Sequence, residues 1–170
     1  MYVDDIILIG NDAEEISCFP NLLDQHFKIK SLGDLTFFLG LEVVRNSTSI
    51  HLSKRKYILN LLHDVGMLDC ASMPTPMLHS SRLSPTQGAP LFDIDASSYC
   101  RLIGRLLYLT NTRPEITFSV NNLSQFVKAP TKEHQQVAFR VLHYLKTAPV
   151  SGIFFHSSYF IQLRCFTDSD

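Results

Sequence analysis

Apolar positions in the first third of the chain switch between short runs and helical spacing. Ile6 to Ile9 form an uninterrupted apolar run that predicts a strand, and Gly10 breaks it. Asn11 or Asp12 can then cap a helix with Glu14 and Glu15 in its first turn. Leu22, Leu23 and Phe27 continue its apolar face, and Pro20 inside it predicts a kink or a late start. FKIKSLGDL reads as a short strand and turn. Two β-rich runs, Phe37 to Val44 and Ser49 to Leu52, flank the polar Arg45 to Thr48 as the arms of a hairpin would, and Gly40 inside the first suggests close backbone approach. Ser53 is placed to cap the next helix, where Ile58, Leu61, Leu62 and Val65 share one face and Gly66 ends it.

From Met67 to Asp93 periodicity disappears and Pro and Ser accumulate, which predicts an extended linker between two structured halves. Three helical patterns follow. In SSYCRLIGRLLYLTNT the stripe is Tyr99, Leu102, Ile103, Leu106 and Leu107, with Arg101 and Arg105 one turn apart on another face. Pro114 opens the second, with Ile116, Val120, Leu123 and Val127 inward, and Thr131 caps the third, whose stripe is Val137, Ala138, Val141, Leu142 and Leu145. The chain closes on two strand-like runs around His156 to Tyr159, then Asp168 and Asp170.

With 45% hydrophobic and 18% charged residues, the 170-residue chain has a globular composition, and no apolar run approaches the length that spans a bilayer. A soluble, intracellular protein is expected. Cys18, Cys70, Cys100 and Cys165 lie too far apart for a zinc pair and read as reduced thiols; the histidines form no metal-binding spacing either. Asn46-Ser47-Thr48, a glycosylation sequon in form, reads as a polar hairpin tip. The net charge of −1 conceals a segregation: residues 28–56 carry 6 basic against 2 acidic side chains, and residues 97–150 carry 7 against 2. Residues 1–27 carry 6 acidic side chains and no Lys or Arg. Basic segments beside an acidic turn suit a polyanion track next to phosphate chemistry, although a solvated surface produces the same counts.

The acidic turn is Asp4-Asp5, directly before the run Ile6 to Ile9. An Asp pair there is good turn punctuation, and equally a pair of oxygen ligands for Mg2+ at a hairpin tip. Lys54, Arg55 and Lys56 occupy the first turn of the helix that Ser53 caps, where the helix dipole disfavours cations, and this points to a phosphate partner.

Five blocks in order, YVDDIILIG, FKIKSLGDLTFFLGLEV, HLSKRKYILNLL, YCRLIGRLLYLTNTRPEITFSVNNLSQF and FTDSD, resemble the copia-type long-terminal-repeat retrotransposon Pol polyprotein, in its reverse transcriptase region running into ribonuclease H. The resemblance covers essentially the whole chain and favours the metal reading of the Asp pair. It implies an α+β fold: late palm β-hairpins plus a helical thumb, ending in the first strands of a ribonuclease H-like domain. On that pattern residues 1–52 are the end of the palm, with catalytic hairpin and primer grip. Residues 53–150 are the thumb-like helical region with a linker at 67–94, and 151–170 begin ribonuclease H.

Residue by residue, Asp4 looks like the carboxylate that bridges both metals, and Asp5 like its supporting neighbour. Tyr2 resembles the residue beneath the primer end, and Leu39, Gly40 and Leu41 resemble the primer grip. Gly104 and Tyr108 look like the thumb-helix pair that follows the minor groove, with close helix packing as the rival explanation of the glycine. Lys54, Arg55, Lys56, Arg101 and Arg105 are candidate phosphate contacts, and Asp168 looks like the first metal-binding carboxylate of ribonuclease H. The implied function is RNA-directed DNA synthesis with Mg2+, an RNA template, a DNA primer and their RNA–DNA hybrid. The implied partner is the remainder of the Pol polyprotein, in cytoplasmic element particles and without a membrane. The family pattern also places the remaining catalytic Asp and the fingers upstream of Met1, and the other ribonuclease H carboxylates beyond Asp168. Cys100 stands where the family commonly has a basic residue. An inactive stretch of polymerase is therefore expected, with a non-catalytic nucleic-acid-binding remnant as the alternative.

Overall fold

The computed structural model describes residues 6–27, 29–78, 83–85 and 88–158. Within them the chain forms helix α1 (Ala13–His26), strands β1 (Phe37–Phe38), β2 (Leu41–Arg45) and β3 (Ser49–Ser53), and helices α2 (Arg55–Asp64) and α3 (Asp93–Leu109). A 3-10 turn (Pro114–Ile116) leads into α4 (Thr117–Ser124), and α5 (Lys132–Thr147) and β4 (Gly152–His156) follow. This is a mixed α and β fold, five helices beside one antiparallel four-stranded sheet in the order β1-β2-β3-β4.

The amphipathic stripes converge on a single core. Ile58, Leu61 and Leu62 of α2 meet Tyr99, Leu102, Ile103 and Leu106 of α3, Val120 and Leu123 of α4, and Ala138, Val141, Leu142 and Leu145 of α5. Two expected members lie elsewhere. Leu107 faces outward and Leu109 takes the buried position, because the helix rotates past the stripe at its last turn. Val127 lies beyond the end of α4, and Phe126 turns inward instead, stacking on the His134 ring at 4.1 Å. The cap expected at Thr131 is present as a reciprocal box: Thr131 N–H donates to His134 Nδ1 at 3.0 Å, and His134 N–H points back at Thr131 Oγ1. Burial lowers the pKa of this imidazole, in keeping with a ring that accepts a proton donor at Nδ1.

The Pro- and Ser-rich segment is not a free linker. Lys146 Nζ donates to the Cys70 carbonyl at 2.5 Å, Met73 N–H donates to the His143 carbonyl at 3.2 Å, and Arg140 Nη2 donates to Thr75 Oγ1 at 3.0 Å. Polar groups of α5 thus satisfy Cys70, Met73 and Thr75, which lie in no strand. Met67, Leu83 and Leu91 of this segment pack with α2 to α5 in one core, so its described parts do not separate two halves. Just beyond the C-terminal turn of α5, Arg113 reaches back from the α3–α4 connection. Its Nη1 donates to the Ala148 carbonyl at 2.9 Å and its Nε to Glu115 at 2.5 Å, with only 2% of the residue exposed.

Asp12 caps α1, accepting from the Glu14 and Glu15 amides, and the helix runs on through Pro20 instead of starting late. None of its residues is buried. The strand expected at Ile6 to Ile9 does not form, and Ile9 is 91% exposed. A strand exists only by pairing, and no described residue lies beside this run as a partner. Residues 29–36 likewise form no strand. The Asn46 tip does turn β2 into β3, its Oδ1 accepting from Thr48 N–H and Ser49 Oγ, each at 2.9 Å. The first strand-like run of the C-terminal segment becomes β4 and pairs along its whole length with β3, Gly152 opposite Ser53 and His156 opposite Ser49. The second run, past Tyr159, lies outside the described residues, as do Cys165 and Asp170. Cys18, Cys70 and Cys100 are free thiols. No helix among the described residues is long and apolar enough to cross a membrane.

Candidate nucleic-acid interface

The run Phe37 to Val44 is not one strand. It folds back at Leu39-Gly40, with Phe38 paired to Leu41 across a two-residue turn. Both turn residues have positive φ, 47° at Leu39 and 80° at Gly40, as a type I′ connection requires. Glycine adopts this freely; leucine does so at a cost of roughly 1–2 kcal/mol. Gly40 is fixed for a second reason. A Cβ there would lie 3.0 Å from the Tyr108 hydroxyl oxygen.

That hydroxyl belongs to α3 and donates to the Leu39 carbonyl at 2.6 Å. Behind it stands Lys54, 3% exposed, with Nζ 3.2 Å from the centre of the Tyr108 ring and donating to the Tyr108 carbonyl at 2.7 Å. The carbonyl is in the last turn of α3, where a cation is favoured by the helix dipole. Lys54 therefore has a protein partner that its own helix, read alone, could not reveal. Burial pushes its ammonium pKa below the usual lysine value. Tyr57 meets the Tyr108 ring edge-on at 5.1 Å, and Arg105, stacked over Tyr57, pairs with Asp64 at 2.8 Å. The hydrogen bond from Arg105 is the main reason why the Asp64 carboxyl sits below its ordinary range.

Ser53, expected to cap α2, ends β3 instead; Lys54 takes the cap position without a side-chain bond. Glu42 of β2 serves the helix start from outside, its Oε1 accepting the Lys56 amide at 2.6 Å. Arg55 and Lys56 are exposed and line, with Phe37, Glu42 and Leu59, a depression of about 300 Å³. A carboxylate thus already faces these amides, so the position of the cations no longer demands a phosphate. Arg101 is exposed, donating to Ser98 Oγ at 3.2 Å one turn back along α3. Gly104, between Arg101 and Tyr108 on α3, is exposed, and no atom of another element among the described residues lies within 4 Å of where its Cβ would be. Close helix packing therefore does not explain this glycine.

Leu39, Gly40, Lys54, Arg105 and Tyr108 come together in one cluster, with Leu41 at the start of β2 and Gly104 one helical turn away. Tyr2, Asp4, Asp5 and Asp168 lie outside the described residues. Among the described residues no group of three His, Cys, Asp or Glu side chains is placed to hold a metal ion. Sequence reasoning missed Tyr57, Asp64 and Glu42. Each acts across elements distant in sequence, and only an aromatic within a basic turn hinted at Tyr57.

A family described as reverse transcriptase (RNA-dependent DNA polymerase) matches residues 1–79. Over its whole length the chain is 41% identical to the retrovirus-related Pol polyprotein from transposon RE1 of Arabidopsis thaliana and spans 12% of that protein. It is 32% identical to the Pol polyprotein from transposon TNT 1-94 of Nicotiana tabacum, spanning 13% of it. An uncharacterized mitochondrial protein of Arabidopsis thaliana is 33% identical, and the chain spans 70% of its length. No solved structure matches.

Proposed function

Because the chain belongs to the reverse transcriptase region of copia-type retrotransposon Pol polyproteins, we propose that it holds the primer–template duplex during RNA-directed DNA synthesis. On this proposal β1 to β3 are late palm with the primer grip at Leu39 to Leu41, α2 to α5 are the thumb-like region, and residues 151–170 lead into ribonuclease H. The observation that carries it is Gly104. A glycine in the interior of a 17-residue helix costs roughly 1 kcal/mol relative to alanine, and here no neighbour among the described residues needs the space. Something outside the described residues is then expected to approach that backbone closely, as a nucleic-acid groove would. The Leu39-Gly40 turn is tethered to the same helix face one turn further on, so turn and helix are offered to one ligand.

Asp4 and Asp5 are proposed as metal-binding carboxylates on the YVDD sequence, and Asp168 on FTDSD, with Mg2+ as the ion. The described residues offer no cluster to complete such a site, so no reaction step is derived through it. The RNA template, the DNA primer and the rest of the polyprotein are the proposed partners, and element particles in the cytoplasm the proposed setting.

Sequence-independent binding should arise from the exposed cations Arg55, Lys56 and Arg101 rather than from buried Lys54. Equilibrium binding of RNA–DNA hybrid is expected to weaken steeply with salt. On a B-form duplex, each neutralised phosphate contributes about 0.9 to the log–log slope, so Arg101→Ala should reduce the slope by about that much. Arg105→Ala should reduce it less, because Asp64 already neutralises that guanidinium. An unchanged slope in a triple variant lacking Arg55, Lys56 and Arg101 would refute the electrostatic track.

A further inference from the structure

Tyr108 joins three elements through one side chain. Its hydroxyl holds the Leu39 carbonyl at 2.6 Å, its ring covers Lys54 Nζ at 3.2 Å, and its edge meets Tyr57 at 5.1 Å. The turn it holds is strained and gains little from its own side chain. Leu39 sits at φ 47° with 66% of the residue exposed, where glycine or asparagine would fit without strain. A strained turn persists when its surroundings over-determine it. Here the phenol hydroxyl restrains its carbonyl, and Gly40 leaves the phenol just enough room.

Lys54 makes the anchor stiff. An ammonium that is both under the ring and bonded to the Tyr108 carbonyl fixes the side chain and the backbone of the same residue. The ring therefore cannot swing without uncovering a buried cation. The turn and the open face at Gly104 are consequently two points on a rigid frame, linked by the one-turn rise between Gly104 and Tyr108. Two rigidly spaced points that must both touch a duplex discriminate by groove width, and the wide, shallow minor groove of an A-like helix differs from the narrow groove of B-form DNA.

We propose that Tyr108, seated on Lys54, is a positioning residue that sets the spacing between the Leu39-Gly40 turn and the Gly104 face, and thereby selects RNA–DNA hybrid over B-form DNA by shape. The selection presupposes the duplex-holding role proposed above. Tyr108→Phe isolates it, since the ring, the cation contact and the Tyr57 edge contact remain and only the hydroxyl–carbonyl bond is removed. Affinities of the whole chain for a hybrid and for a DNA duplex of the same sequence, measured across a salt series, give the test. The wild type should prefer the hybrid. Tyr108→Phe should lower that preference about fivefold with an unchanged salt slope, because no cation is removed. Gly40→Ala, whose methyl would lie 3.0 Å from the Tyr108 hydroxyl oxygen and push it off the Leu39 carbonyl, should lower the preference in the same way, and it serves if the phenylalanine variant folds poorly. A hybrid preference kept at the wild-type ratio in both variants overturns the positioning role while leaving duplex holding intact. Failure of the wild type to bind either duplex overturns both.

Discussion

Arg113→Ala is expected to cost the helical core about 3 kcal/mol, an unfolding midpoint lower by roughly 6–12 °C for a chain of this size. Arg113 is among the largest fully buried side chains of the described residues, and its guanidinium is bonded both to Glu115 and to the carbonyl that follows α5. Alanine leaves a cavity where its stem packed and removes a charge-assisted bond from the Ala148 carbonyl. Glu115 is partly exposed and can turn to water, which keeps the loss below that of a wholly buried pair. Arg113→Met fills most of the space and abandons only the polar bonds, so it should cost about half as much. Thermal unfolding of the three proteins separates the packing share from the polar share. Equal midpoints for alanine and arginine would show that the α3–α4 connection is not anchored through this residue.

Gly40→Val is expected to dismantle the β1–β2 turn while sparing the helical core. A β-branched residue at φ 80° costs on the order of 1–3 kcal/mol, and its Cβ would press on the Tyr108 hydroxyl. The hydroxyl–carbonyl bond, about 1 kcal/mol, goes with it. β1 has only two residues to hold against that sum, so the turn opens locally instead of unfolding the chain. Hydrogen exchange should show the Val43 amide, bonded to the Thr36 carbonyl, losing protection while the α5 amides keep theirs. Gly33, with φ 72° and no described residue within 4 Å of its Cβ position, is the control: Gly33→Ala carries the backbone strain without the collision, and a milder effect there than for Gly40→Ala isolates the Tyr108 contact. Full protection at Val43 in Gly40→Val would mean that the turn accommodates a side chain and is not set by Tyr108.

How far the sequence carried these conclusions differs by element, for physical reasons. The stripe of α5 and its cap at Thr131 were legible because cap, spacing and burial are all local and agree. Gly66 was legible as a helix end: its φ of 71° and the bonds Gly66 N–H to His63 and Met67 N–H to Leu62 close α2 as the glycine suggested. Ile6 to Ile9 misled because strand composition does not make a strand without a neighbour. Ser53 misled because β3 claimed it first, pairing it with Glu42 on one side and Gly152 on the other. Lys54 stands out in the sequence at the right position, but its partner is not the one its helix suggests. Its role depends on the end of α3, and no local pattern encodes which helix end will face a given lysine. The same holds for Arg105 and Asp64, two charges that were visible separately and unreadable as a pair. The Leu39-Gly40 turn was half legible: the glycine signalled close approach, and the close neighbour proved to be Tyr108 within the chain itself.

The central claim is that the face of α3 around Gly104 meets a duplex, and Gly104→Ala tests it through two effects of opposite sign. The added methyl meets none of the described residues and removes the helix penalty of glycine, so stability should rise by up to about 1 kcal/mol. The same methyl stands where a groove would approach the backbone, so affinity for RNA–DNA hybrid should fall about tenfold, equivalent to 1.4 kcal/mol. Measured on one preparation, a higher unfolding midpoint together with weaker hybrid binding is the predicted result. A higher midpoint with undiminished binding would contradict the account, since Gly104 would then be an exposed helix position that nothing touches.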